Sequence, residues 1–100
     1  MCSQEKMYVV VRDDLTIAQK AVQAGHALAE YLLRKSPDWT NGVLVYLKVD
    51  DKDKLYALKN QLLRHGYDCV WFNEPDLCSE ITALAGLGNN PFFKSLQLLD

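Results

Sequence analysis

Four polar side chains in the first half of the chain are spaced so that they fall along one line of a helix. They are Gln19, Gln23, His26 and Glu30, and at about 100° per residue they lie within roughly 60° of one another. A histidine can exchange a proton near neutral pH, and amide and carboxylate side chains can hold a substrate or a water. The small residues among positions 24–27 would allow a ligand or another backbone to come close. A plain surface helix explains this helix-1 stripe equally well.

Three members of the stripe also have a purely structural explanation. Gln19 can complete a capping box with Thr16 at the start of the helix. His26 can bond to a backbone carbonyl at the edge of the core. Glu30 can pair with Arg34 one turn later, which stabilises a helix by only about 0.2–0.5 kcal/mol.

A second group of candidates lies near the end of the chain. Glu74 and Asp76 fall in a loop that follows a predicted strand. Loops at the carboxyl ends of strands often carry the site in α/β sheets, and a carboxylate there can orient a water or accept a proton. A solvated turn is the simpler interpretation of Asp76. The hydroxyl of Thr82 faces a cleft or merely suits the strand that contains it.

The elements that must position these residues follow from the hydrophobic pattern. Runs of β-branched and aromatic residues predict strands over residues 7–12, 43–49, 67–73 and 80–85. Helical periodicity predicts one helix over 16–35 and another that is capped by Asp50 or Asp51 and ends near Arg64. The apolar residues predicted to face the core are Ile17, Ala21, Ala24, Leu28 and Leu32 in the first helix and Leu55, Leu58 and Leu62 in the second.

Strands that alternate with helices predict a sheet with both faces covered. We therefore expect a single α/β domain over residues 1–100, with three α/β/α layers around a mixed four-stranded sheet. Gly66 is expected in the left-handed conformation after the second helix. The tail over 91–100 is expected to dock as a helical turn and a short edge strand.

Composition limits the possible functions. The chain has 100 residues and a net charge of −2, which argues against nonspecific coating of nucleic acid. A local basic patch at Lys20, Arg34 and Lys35, to which Arg12 and Lys94 could contribute, remains compatible with that charge. The three cysteines form no C-x-x-C pair and predict free thiols in a reducing, cytoplasmic compartment. No apolar run is long enough to cross a membrane.

No motif in the chain predicts a cofactor. Glycine-rich nucleotide loops, the serine-hydrolase elbow and the zinc-protease motif are all missing from the sequence. The cysteines and the two histidines, His26 and His65, are too scattered for a zinc site. We therefore expect neither a cofactor nor a metal.

Two segments resemble the opening of the class 2 peptidyl-tRNA hydrolases. Residues 8–15 read YVVVRDDL and residues 21–27 read AVQAGHA. The family begins with a strand ending V-V-R-x-D-L, followed by a helix with A-x-Q-x-x-H-A. Residues 80–85, EITALA, are similar to its closing threonine-bearing strand. The resemblance covers most of the chain, and the helix motif is its most specific part.

The resemblance implies the family's three-layer fold and the hydrolysis of the ester between a peptide and the 3′ end of tRNA, without a bound metal. It implies tRNA as a partner and, since family members frequently form homodimers, self-association. Glu74 or His26 would prepare the attacking water, while Gln23 and Thr82 would hold the carbonyl or the water. The residues expected to bind substrate are Lys20, which would contact phosphate, Gln19, Arg12 and Asp14.

This chain also departs from the family pattern. The family's important lysine falls on Gln19 when the register is counted back from Gln23, and Lys20 is the nearest lysine. The loop aspartate of the family is replaced by Glu74. The loop segment that follows is shortened to residues 75–79. These departures keep open a non-catalytic module that binds RNA, a small ligand or a protein, and, less strongly, a hydrolase for another ester or amide.

Overall fold

The computed structural model describes residues 5–100, so Cys2 lies outside the described part of the chain. Its strands are β1 (Lys6–Arg12), β2 (Val43–Val49), β3 (Val70–Glu74), β4 (Glu80–Leu87) and β5 (Gln97–Leu98). Its α-helices are α1 (Ile17–Lys35), α2 (Lys52–Arg64) and α3 (Pro91–Lys94), and a 3-10 turn covers Pro75–Leu77. None of the helices within residues 5–100 is long and apolar enough to cross a membrane.

The sheet has five strands in the order β3-β4-β1-β2-β5. β1 and β2 are parallel, and the other neighbours are antiparallel, so the predicted mixed sheet is confirmed. The prediction of a four-stranded sheet was wrong: the helical turn and short edge strand expected in the tail are α3 and β5, and β5 is the fifth strand. After α3 the tail forms β5, which pairs Leu98 with Leu47 and Gln97 with Lys48 on the open side of β2. A two-residue strand is too short to show alternation, so its place in the sheet depends on this partner and not on its own sequence.

The sheet separates two clusters of buried side chains. Met7, Val9 and Val11 of β1 pack with α1, whereas Tyr8 and Val10 pack with α2 and α3. This alternation is what a fully buried central strand requires, since successive side chains point to opposite faces. The chain therefore forms three layers, with α1 on one face of the sheet and α2 on the other.

Helix α1 begins with the predicted capping box and ends at Ser36, which adopts a left-handed conformation just before Pro37. Its predicted apolar face was only partly right. Ile17 is 83% exposed and Leu32 37% exposed. The side chains buried against the sheet are Gln23, Ala24, Ala27 and Tyr31, with Leu28 half-buried.

This rotation of α1 follows from the face of the sheet that it covers. Ala83 and Ala85 of β4 lie in the same cluster as Ala24 and Ala27. Small residues on both sides allow helix and strand to come close. The polar Gln23 is therefore turned toward the sheet, and Ile17 toward solvent.

The remaining elements agree with the prediction except at their ends. Asp51 caps α2, whose Leu55, Leu58 and Leu62 are buried, and Gly66 follows with φ +81°. β3 starts three residues later than predicted, at Val70, because the backbone N–H of Tyr67 still bonds to the helix carbonyl of Leu62. β4 runs beyond the predicted end to Leu87, through its pairing with β1.

Strand directions bring the candidate residues to one edge of the sheet. β1 and β2 are parallel, and β3 runs in their direction because both β1 and β3 are antiparallel to β4. Their carboxyl ends therefore meet at the start of β4. Arg12, Glu74 and Glu80 mark this edge.

Candidate active site

Glu74 is the last residue of β3, and the chain turns sharply after it. Pro75 opens the 3-10 turn, and the Glu74 carboxylate caps that turn by accepting the backbone N–H of Asp76 at 3.3 Å. The fixed φ of proline suits this first position, where no donor is needed. Glu74 is half-buried, so its carboxylate is held by local structure while one side remains open.

Gln23 connects α1 to this carboxylate. Its Nε2 donates to Glu74 Oε1 at 2.7 Å, and its Oε1 accepts from Thr82 Oγ1 at 2.7 Å. The Thr82 oxygen also lies 3.3 Å from the carbonyl of Phe72. Gln23 is 4% exposed and Thr82 fully buried. The hydroxyl donates to the amide oxygen and thereby fixes which end of the amide faces Glu74.

This chain of hydrogen bonds keeps Glu74 ionised. The amide of Gln23 lowers the pKa of Glu74 most, followed by the backbone N–H of Asp76, and the charge of His26 contributes in the same direction. Hydrogen bonds to the charged form favour that form. Near neutral pH the site therefore holds a negative charge next to an imidazole.

His26 lies one turn beyond Gln23 on the exposed side of the helix. Its ring stacks on Phe72 of β3, with centroids 4.4 Å apart and planes inclined by 9°. One face of the imidazole is therefore covered, while the side chain is not buried in the sheet. The nitrogens lie at the ring edge, so stacking leaves them available for proton transfer.

A small cleft opens beside Glu74. It has a volume of about 240 Å³ and lies between Ala18 and Val22 of α1 and Leu77 of the 3-10 turn, with Glu74 in its wall. The cleft is mainly apolar apart from the acidic side chains. It is the surface through which a substrate can reach Glu74.

The other two members of the helix-1 stripe have structural partners. Gln19 forms both bonds of the capping box with Thr16, at 3.1 and 3.2 Å. Glu30 accepts a hydrogen bond from Arg34 at 2.8 Å. The structure therefore brings Gln23 and His26 close to Glu74 and Thr82. Gln19 and Glu30 instead make the structural contacts, the capping box and the Arg34 pair, that explain them without a functional role.

Arg12 and Asp14 bind each other at the end of β1. Arg12 donates from Nε and from a terminal nitrogen to both carboxylate oxygens of Asp14, at 2.9 and 2.8 Å. It also contacts Glu80 at 2.9 Å and the carbonyl of Ile81, and it is 7% exposed. These bonds raise the pKa of Arg12 and lower those of Asp14 and Glu80. Arg12, predicted to bind substrate, thus joins β1 to the start of β4.

Lys20 also has a partner. Its Nζ donates to Asp13, whose other carboxylate oxygen lies 3.7 Å from Lys48. These contacts lower the pKa of Asp13, with the Lys20 hydrogen bond as the largest cause. Arg34 pairs with Glu30, and Lys35 lies 3.8 Å from Asp68, so each of these cations has a carboxylate partner.

Sequence reasoning missed Phe72, Asp13 and Glu80. Phe72 could have been found from Glu74, because residues two apart on a strand share a face. The partners of Arg12 and Lys20 depend on the register of β4 and on the start of α1, which no local pattern reveals. Among residues 5–100 no group of three potential ligand residues could hold a metal ion.

The chain matches no protein-family model and no curated protein. It is similar in structure to a protein of unknown function from Agrobacterium tumefaciens strain C58, with a TM-score of 0.76 and 11% sequence identity. The similarity covers 99% of this chain and 100% of that one. At this identity the comparison shows a shared α/β fold and nothing about activity.

Proposed function

We propose that the chain is a cytoplasmic hydrolase of the peptidyl-tRNA hydrolase type, which cleaves the ester between a peptide and the ribose of tRNA. One observation carries the proposal: Thr82, Gln23 and Glu74 form a continuous hydrogen-bonded chain that ends in the wall of an open cleft, while His26 stacks on Phe72, two residues before Glu74 on β3. A carboxylate held ionised beside an exposed imidazole is suited to activating a water.

In this mechanism His26 accepts a proton from the water, whose oxygen forms a bond to the ester carbonyl carbon. The bond from that carbon to the ribose oxygen then breaks, and the leaving oxygen takes up the proton. Glu74 stabilises the imidazolium that forms, because it remains charged at neutral pH. Glu74 is a poor base, since its pKa is lowered.

Gln23 and Thr82 have a different role from the one expected from sequence. Both are buried; Thr82 donates to Gln23, and Gln23 donates to Glu74, so they act as positioning residues for the carboxylate. Such support is how active sites fix a charged group within a few tenths of an ångström.

The direct test is release of peptide from purified peptidyl-tRNA, with a known hydrolase as the positive control. Wild-type protein is expected to release peptide, while His26→Asn is expected to lose about 10²–10⁴-fold in rate, the usual contribution of a general base. A variant at the remote histidine, His65→Asn, is the matched control, since His65 contacts Phe92 of α3. Absence of turnover at high enzyme concentration would contradict the proposal.

A non-catalytic RNA-binding module on the same fold is the second candidate. It is favoured by the shortened loop after Glu74, which is reduced to the 3-10 turn Pro75–Leu77 and its flanking residues. In such a module Lys20 would contact phosphate, in competition with Asp13. If the module binds tRNA in this way, Asp13→Asn should free Lys20 and tighten binding at low salt, without any hydrolysis.

A further inference from the structure

A groove runs along the outer edge of β3. It has a volume of about 620 Å³ and is lined by five consecutive residues, 69–73, with Glu30, Arg34 and Lys35 of α1 on the other side. Consecutive side chains of a strand point to opposite faces of the sheet. A groove lined by all five therefore follows the edge of the strand and does not lie on one face.

The backbone along this edge has no partner strand in the described part of the chain. β3 is the outermost strand of the sheet and pairs only with β4. An open edge presents a row of N–H and C=O groups to any extended chain that reaches it. Burial raises the pKa of Cys69 to about 11, so the groove offers hydrogen bonds and no thiolate near neutral pH.

The groove leads directly into the candidate active site. Its last two lining residues are Phe72, on which His26 stacks, and Asn73, which precedes Glu74. Its opposite end lies near Lys35 and Asp68, which approach within 3.8 Å. A chain bound along β3 would therefore have one end at His26 and Glu74 and the other at the last turn of α1.

We propose that this groove binds the peptide part of the substrate as an added strand, which rests on the hydrolase function proposed above. The ester is formed by the carboxyl end of the peptide, so that end must lie at Glu74. β3 also ends at Glu74, so the peptide runs parallel to β3. Four steps separate Cys69 from Asn73, and at about 3.3 Å per residue the groove holds about four residues of peptide.

Charged residues at the end of the groove near Lys35 affect which amino end of a peptide can bind. Arg34 and Lys35 lie where the amino end of the peptide would be, and the Arg34 side chain is 68% exposed. Each cation has a carboxylate partner, Glu30 at 2.8 Å and Asp68 at 3.8 Å, so only a modest preference for a blocked amino end or an acidic first residue follows. This preference is expected to weaken with salt, because the groups are near water.

Binding is tested first without catalysis. The probe is an N-acetylated tetrapeptide amide of alternating alanine and valine, added to isotope-labelled protein while backbone amide signals are followed by NMR. The largest shifts are expected at residues 69–73, and no shifts there would overturn the inference. Two peptides N-methylated at adjacent central amides provide the sharpest comparison. Successive N–H groups point to opposite sides of a strand, so one methyl group should abolish binding and the other should not.

Hydrolysis provides the second arm. With peptidyl-tRNA carrying one to six residues, kcat/KM should rise up to about four residues and then level off. Hydrolysis that is independent of length would overturn the inference while leaving the proposed function intact. Shifts at 69–73 without hydrolysis of any substrate would overturn the proposed function and leave the groove as a peptide site.

A matched pair of variants tests the charge preference. Arg34→Gln should reduce the advantage of an acidic first residue, whereas Arg64→Gln, in the exposed last turn of α2, should not. Equal effects of the two variants would contradict a role for Arg34. A concentration-dependent dimer whose amide shifts fall on 69–73 would show that a second copy occupies the edge, and would also overturn the inference.

Discussion

The side-chain amide of Gln23 in α1 donates to the carboxylate of Glu74 at the end of β3, with 2.7 Å between Nε2 and Oε1. The contact joins residues 51 positions apart in the chain. It is possible only because α1 turns its small residues and Gln23 toward the sheet. The same contact sets the charge of Glu74, so the packing of the first helix and the chemistry of the site depend on one side chain.

Removing this amide should raise the pKa of Glu74. The Gln23 hydrogen bond is the largest cause of the lowered value, so in Gln23→Leu the pKa of Glu74 moves up toward its ordinary range. A carbon-detected NMR titration of the Glu74 carboxylate measures the shift. The exposed Gln61→Leu in α2 is the control and should leave the Glu74 titration unchanged.

Thr82 should matter for stability through its hydroxyl alone. Thr82→Val keeps the shape of the side chain but leaves Oε1 of the buried Gln23 without its donor, at a cost of about 1–3 kcal/mol. Thr82→Ser retains the hydroxyl and should lose less. Urea unfolding of both variants measures the difference. Equal free energies of unfolding for the two would show that the hydroxyl contributes nothing.

Arg12 should make the free energy of unfolding depend on pH in the acid range. Its hydrogen bonds are the largest causes of the lowered pKa values of Asp14 and Glu80. Carboxylates with lowered pKa values stabilise the fold above their ordinary range, about pH 4, and lose this contribution as the pH falls toward the lowered values. In Arg12→Met the unfolding free energy should therefore change less between pH 6 and pH 3 than in the wild type. Chemical denaturation at several pH values tests this, and parallel pH profiles would contradict it.

His26 should be required for its nitrogens and not for its ring alone. His26→Phe retains an aromatic ring to stack on Phe72 but cannot accept a proton. Its melting temperature should stay close to that of the wild type, while hydrolysis should fall by about 10²–10⁴-fold. A loss of activity that is fully explained by unfolding would argue for a structural role of the histidine.

Gly25 in α1 and Gly86 in β4 should respond in opposite ways to substitution by alanine. A Cβ at Gly25 meets no other atom, so Gly25→Ala should stabilise α1 by about 0.5–1 kcal/mol. A Cβ at Gly86 would lie 3.0 Å from the Phe93 ring and 3.3 Å from the carbonyl of Asp68, so Gly86→Ala should destabilise. Thermal unfolding distinguishes the two. A loss of hydrolysis in the stabilised Gly25→Ala would show that a substrate passes close to this backbone.

Sequence patterns predicted the central strands, both long helices and their caps because these features are local. A capping box at Thr16, β-branched runs and a glycine after α2 each act within a few residues. The rotation of α1 was not predictable in this way. Ile17 and Leu32 have the expected helical period, but alanines on β4 determine which face comes closest to the sheet. Likewise, β5 depends on the free edge of β2.

The site was predictable to a similar extent. Gln23, His26, Glu74 and Thr82 were all named from the sequence, and the structure places them together. Their division into two accessible groups, Glu74 and His26, and a buried pair behind Glu74 could not be foreseen, since it depends on the rotation of α1. Arg12 and Lys20 were predicted to bind substrate, but each is held by a carboxylate that the local sequence pattern does not reveal. Arg12 contacts Glu80, and Lys20 contacts Asp13.

The central claim, that Glu74 and His26 hydrolyse a peptide ester of tRNA, is tested most directly by single-turnover cleavage of peptidyl-tRNA with excess enzyme. Wild-type protein should release the peptide, and Glu74→Gln, which retains size but not charge, should slow release by at least about tenfold, roughly 1.4 kcal/mol in barrier height. The exposed acid Asp53→Asn in the first turn of α2 should leave the rate unchanged. Equal rates for wild type and Glu74→Gln, or no release by the wild type while a known hydrolase cleaves the same substrate, would contradict the claim.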